Sequence, residues 1–176
     1  LLGHLAHPSV SLGMVLEHGC DKVHNGVLRD QLRKRGVEIK RYGWASIQLD
    51  GGIEKVSRKV NGWFRTAIGT LSNKDVELNL KDLSLGFITE PPFSEALGEV
   101  IWEVIRVCQK AGATVIIPSG DDLLKLGQEQ GIVPAEVRAT IEHGESPAEA
   151  GLHVMYHANH HWVEALTGLA SCGVQL

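Results

Sequence analysis

The sequence predicts an α/β fold: a mostly parallel sheet with helices on both faces, in Rossmann-like layers, forming a single α/β domain over residues 1–176. Three observations carry this. Short apolar runs rich in β-branched residues recur along the chain. A segment with helical apolar spacing follows each run. The runs are nearly unbroken rather than alternating, as expected of strands covered on both faces. Strands alternating with helices in this way build parallel sheets.

The strand-like runs are 13–16, 44–49, 83–88, 114–117 and 152–155. Each has about strand length. Val23, Val27, Leu28 and Leu32 follow the first at helical spacing, and Ile53, Val56, Val60, Trp63 and Phe64 follow the second. From Phe93 to Ala111, six residues (Leu97, Val100, Ile101, Val104, Ile105 and Cys108) make one broad stripe. Residues 121–144 predict two short helices, the second starting near Pro134. Trp162, Leu166 and Leu169 mark the last helix. Gly36 and Gly112 sit where helix C-caps are expected. Gly144-Glu-Ser-Pro147 reads as a loop, and there is no internal repeat. The five strands are expected side by side in one sheet.

Composition narrows the function classes. A chain of 176 residues, 43% hydrophobic and 22% charged, has the make-up of an ordinary globular protein with a real core. Net charge is −4, and no basic block exceeds Arg33-Lys34-Arg35, which argues against nucleic acid as partner. No apolar run reaches the ~18 residues of a membrane span. The opening LLGHLAHPSV lacks the basic start of a signal peptide, and His4 and His7 interrupt it. Cys20, Cys108 and Cys172 are too few for a disulfide framework; with the last two in apolar contexts, they point to a reducing cytoplasm.

Every strand end turns polar. The sequence reads Glu17-His-Gly-Cys-Asp21 after the first strand, Gln48-Leu-Asp50-Gly51-Gly52 at the second, and Thr89-Glu90-Pro-Pro92 after the third. Pro118-Ser-Gly-Asp121-Asp122 follows the fourth, and Tyr156-His157-Ala-Asn159-His160-His161 the fifth. Ligands of open parallel sheets bind at the carboxyl ends of the strands. The Cys20, Asp50 and Asp121 loops are therefore expected on one rim, with His18 or His24 pointing into the cleft between them. Plainer readings stand beside each signal. Asp21, Asp121 and Asp122 can cap helices. His24 and Asn25 can lie solvated in a first helical turn. Asp50-Gly51-Gly52 suits a tight turn, though consecutive glycines before a helix also present N–H groups to an anion. The His18-Gly-Cys20 spacing suits a shared metal or a turn. Of His153, His157, His160 and His161, only His157 and His161 have i,i+4 spacing. There is no G-x-S-x-G, P-loop or G-x-G-x-x-G.

Several strings, in order, resemble the carboxy-terminal catalytic region of the altronate/galactarate dehydratase family. His7-Pro8-Ser9-Val10 is similar to its HPNV, and Leu16-Glu-His-Gly-Cys20-Asp21 to its GLGCE. Ser46-Ile-Gln48-Leu-Asp50-Gly51-Gly52 resembles TIQ-x-x-GG. Leu85-Gly86, Ser94 and Ala96-Leu97-Gly98 resemble its LG-x-x-CGGSD…NPALG region. The GGT strand has its counterpart in residues 111–116, and the closing pattern in 151–155 with 166–170. Where the family has CGGSD, this chain has Thr89-Glu90-Pro91-Pro92-Phe93, and its SETPE is Pro118-Ser119-Gly120-Asp121-Asp122. Nothing matches the family's small amino-terminal domain or its glycine-rich TGRGTPTG loop, so the resemblance implies a piece of a longer architecture, one component of a split enzyme, or a divergent relative.

The resemblance implies a metal-dependent hydro-lyase (a dehydratase) that converts a sugar acid to a 2-keto-3-deoxy acid, with a divalent metal, iron(II), as cofactor. Taking the proton beside a carboxylate builds an enediolate, which needs positive charge against it. His18, His24 and Asp21 are then the catalytic candidates, since histidine titrates near neutrality. Gln48, Asp50, Gly51, Gly52 and Asn25 are the substrate-binding candidates. Cys20, His18 and Glu90 are the metal-ligand candidates. Partners implied are a small-molecule sugar acid and a second copy or companion domain, with no nucleic acid and no membrane. The alternative is a non-catalytic sugar-acid or metal-binding domain of the same fold.

Overall fold

A computed structural model describes residues 1–72, 75–136, 138–157 and 161–175. The fold is α/β, with parallel strands and helices packed on both faces of each sheet. The five strands lie in two sheets rather than one. The chain forms two compact units, His4–Asp75 with Leu2, and Val76–Leu176 with Leu1 and Gly3.

In the N-terminal unit, β1 (Gly13–Glu17) pairs in parallel with β2 (Tyr42–Ser46), Gly13 opposite Tyr42 and Glu17 opposite Ser46. Alternation puts Val15, Tyr42 and Trp44 on one face, where they pack with Leu28 and Leu32 of α2 (Asn25–Lys34). Leu5, in α1 (Leu2–Ala6), joins that core, and its carbonyl accepts the Tyr42 hydroxyl at 2.7 Å. The opposite face meets α3 (Ile53–Ile68). Gly43 makes this possible, because a Cβ there would overlap both Met14 and Trp63.

In the C-terminal unit, β3 (Ser84–Gly86), β4 (Thr114–Pro118) and β5 (Gly151–Met155) form a parallel sheet in that order. Val115 and Ile117 of β4 face α4 (Glu95–Lys110) and α5 (Asp122–Glu129), burying Trp102, Ile105 and Leu123. Ile116 faces the other way, into Met155, Leu169 and Cys172 at α6 (Trp162–Ser171). The α4–α5 contact is close: the Trp102 indole N–H donates to the Leu123 carbonyl at 3.1 Å, and a Cβ on Gly127 would overlap the ring. The outer face of α4 leaves Leu97, Val100, Val104 and Val107 exposed.

The expected C-caps are present. Gly36 has φ +70° and Gly112 φ +84°. Val37 N–H reaches Leu32 O at 3.0 Å, and Ala113 N–H reaches Cys108 O at 3.0 Å, the bonds of a Schellman ending. Two further expectations need correction. Among the described residues no helix starts near Pro134. Ile132 and Val133 both turn their N–H groups to Gly127 O, at 2.8 and 3.1 Å. Thr140 and Ile141 lie beside β5, with Thr140 N–H on Val154 O at 2.8 Å and Ile141 bridging Met155. Apolar Val133 and Ile141 are buried separately, in two different cores, which a continuous helix would not allow. Strand β2 ends at Ser46 rather than Leu49, because Asp50 folds back and accepts Ser46 N–H at 2.8 Å.

Candidate functional site

The polar rim of the N-terminal unit is built by the parallel pairing itself. Pairing continues one step beyond the strands, with Ile47 N–H on Glu17 O at 2.9 Å and Gln48 N–H on His18 O at 3.0 Å. This sets the loop after β1 beside the loop after β2. Gly19 turns the first loop at φ +118°, a conformation that suits glycine. His18 Nδ1 then lies 3.2 Å from Cys20 Sγ and 3.5 Å from Gln48 Nε2. The imidazole, the thiol and the amide of these three side chains thus meet at one point of the rim. His18, Cys20 and Gln48 are all exposed.

The acids beside this cluster are occupied by the backbone. Asp21 does not cap α2. Its Oδ2 accepts His18 N–H at 2.8 Å and Gly19 N–H at 3.3 Å, holding the loop closed. The N-cap position is His24, exposed and without a side-chain cap bond. Glu17, buried, reaches across from β1 and accepts the N–H of Asn25. A carboxylate there also meets the positive end of the helix dipole. Asn25 is itself buried, with its amide N–H₂ on Ala45 O at 2.9 Å and its Oδ1 without a hydrogen-bond partner among the described residues.

Asp50 accepts Ser46 N–H and, at 2.7 Å, the Lys59 ammonium. The Lys59 hydrogen bond, with that of Ser46, holds the Asp50 carboxyl below its usual range. Gly51 and Gly52 take φ +86° and +93° ahead of α3, and Gly52 N–H closes the turn onto Ile47 O at 2.8 Å. The Lys55 side chain lies along Gly51, where a Cβ would come within 2.9 Å of its Cδ. Lys55 and Lys59 were not singled out from sequence, although both follow the double glycine at one-turn spacing.

Of the metal-ligand candidates, His18 and Cys20 are neighbours, while Glu90 is exposed on the loop after β3, in the other unit. Among the described residues no three His, Cys, Asp or Glu side chains gather as a metal site. The residues described therefore do not fit the divalent ion that the resemblance implies, which needs more than two protein donors in sites of this kind.

The carboxyl end of the other sheet holds a cavity of about 520 Å³. Asp121, the N-cap of α5, organises its wall. One carboxylate oxygen accepts Leu123 N–H at 2.9 Å and the Thr89 hydroxyl at 2.7 Å, and the other accepts Thr89 N–H at 2.8 Å. Ser119 Oγ accepts His157 N–H at 2.9 Å. Asp122 and Lys125, an ion pair at 2.6 Å, and the half-exposed Trp162 complete the polar and aromatic lining. Among the described residues the histidines singled out from sequence do not gather as one metal-binding group. His153 lies in β5, its ring nitrogens at 2.9 Å from Glu149 O and 3.4 Å from Thr140 Oγ1. His157 is buried and stacks on His143 at 6.0 Å, and His161 is the N-cap of α6, so the two do not share a helix. Asn159 and His160 lie outside the described residues.

These rims define a parallel α/β protein with two polar strand-end surfaces. The chain matches no protein-family model, no curated protein and no solved structure. None of its helices, among the described residues, is long and apolar enough to cross a membrane.

Proposed function

We propose that the chain is a hydro-lyase acting on a sugar acid such as altronate or galactarate, with the β1–β2 rim as its reaction surface. The observation that carries this reading is the approach of His18 Nδ1 to Cys20 Sγ, 3.2 Å, and to Gln48 Nε2, 3.5 Å, beside a double-glycine helix start. His18 takes the proton beside the substrate carboxylate. The Gln48 amide, the Lys55 ammonium and the first N–H groups of α3 face the charge that develops on the carboxylate. His24 protonates the departing hydroxyl, water leaves, and the enol product becomes the 2-keto-3-deoxy acid. No step is routed through a metal. Asp21, Asp50 and Asn25 hold the loops rather than touch substrate. Free Cys20, Cys108 and Cys172 fit a cytoplasmic setting, where thiols stay reduced.

The test is a keto-acid assay over a panel of hexonates and hexarates. Turnover is expected, with His18→Ala lowering kcat by about 10²–10⁴-fold. Absence of keto acid from every substrate would reject the lyase reading. One observation favours a second reading, a binding domain without turnover: Asp21 and Asp50 are both held by backbone N–H groups. Calorimetric binding of a hexonate with no keto acid would select it.

A further inference from the structure

The cavity at the carboxyl end of the β3–β4–β5 sheet contains none of the residues assigned above to the proposed reaction. We infer that it is a separate binding site for an uncharged, polyhydroxylated ring, a neutral sugar rather than a sugar acid.

Its size suits a small ligand, being about 520 Å³. Its chemistry follows from the polar groups that line it. Both Asp121 oxygens are taken by Thr89 and Leu123. Ser119 Oγ is bonded to the His157 backbone. On the same wall Asp122 and Lys125 place Oδ1 and Nζ 2.6 Å apart, and both side chains stay partly exposed. Acceptor and donor side by side match two neighbouring hydroxyls, one donating to the carboxylate and one accepting from the ammonium. Two carboxylates against one ammonium also make the wall unwelcoming to an anion. A cation would meet Lys125.

Much of the remaining lining is apolar. Trp162 stays 53% exposed, and Pro91 and Pro118 line the same cavity. An indole and a hydroxyl-binding pair lining one cavity suit a sugar ring. Its C–H face packs on the aromatic ring while its hydroxyls meet the polar pair.

The experiment is an NMR and calorimetric titration of the full chain with methyl β-glucoside, gluconate and choline. The glucoside is expected to bind more tightly than either ion and to shift the Trp162 indole signal. Trp162→Ala should weaken it about tenfold, whereas Trp162→Phe, which keeps a ring face, should hold most of the affinity. Asp122→Asn should narrow the preference over gluconate. No saturable glucoside binding, tighter binding of gluconate or choline, or equal loss in the Ala and Phe variants would overturn the inference. The glucoside has no carboxylate, so the result is independent of the keto-acid assay.

Discussion

The carboxylate of Glu17, at the end of β1, accepts the backbone N–H of Asn25, the first residue of α2. A strand thus caps the helix that follows it. Because both residues are buried, Glu17→Ala leaves a donor without a partner and is expected to cost about 1–3 kcal/mol in urea unfolding. Glu17→Gln keeps an acceptor oxygen and should recover part of the loss.

Asp50 gives a pH signature. Its carboxyl is held low by Lys59 and by Ser46 N–H, so its contribution is present above the ordinary carboxylate value and lost as pH falls through the lowered one. The Tm difference between wild type and Asp50→Asn should therefore be full at neutral pH and shrink below about pH 4. A difference that stays constant down to pH 2 would assign the effect to packing alone.

The cysteines should separate by reactivity. Cys20 is exposed, while Cys108 and Cys172 are buried, and burial pushes the Cys172 thiol up to about 11. Native alkylation at pH 8 is expected to modify Cys20 alone, with the other two following only after denaturation. Mass spectrometry of peptides would read this directly.

Gly127 sets two terms against each other. Alanine is the better helix former by about 1 kcal/mol. A Cβ there would overlap the Trp102 ring, which is fully buried and cannot move aside, and overpacking of this kind costs about 1–3 kcal/mol. Gly127→Ala is expected to destabilise the chain, with thermal unfolding as the measurement.

The strand runs were legible because burial on both faces writes itself as continuous apolar sequence, as in Thr114 to Ile117. The helix ends at Gly36 and Gly112 were legible because positive φ there suits glycine. The division into two sheets was not, since strand neighbours are chosen by packing that no local pattern records. That the described residues after Pro134 form no helix has the same origin: Val133 and Ile141 answer to two different cores. At the rim, Asp21 looked like a cap, but its backbone partners sit two and three residues behind it. The cap came from Glu17, eight residues before Asn25, a separation with no motif to mark it.

The tie between Thr89 and Asp121 spans 32 residues of chain. It forms only when β3, α4 and β4 have already come together. Closing so long a loop costs chain entropy before the contact rewards it, so the tie is expected to form late. Asp121 therefore bears on how long the native state survives more than on how fast it is reached. Asp121→Ala should speed unfolding while leaving the refolding rate nearly unchanged.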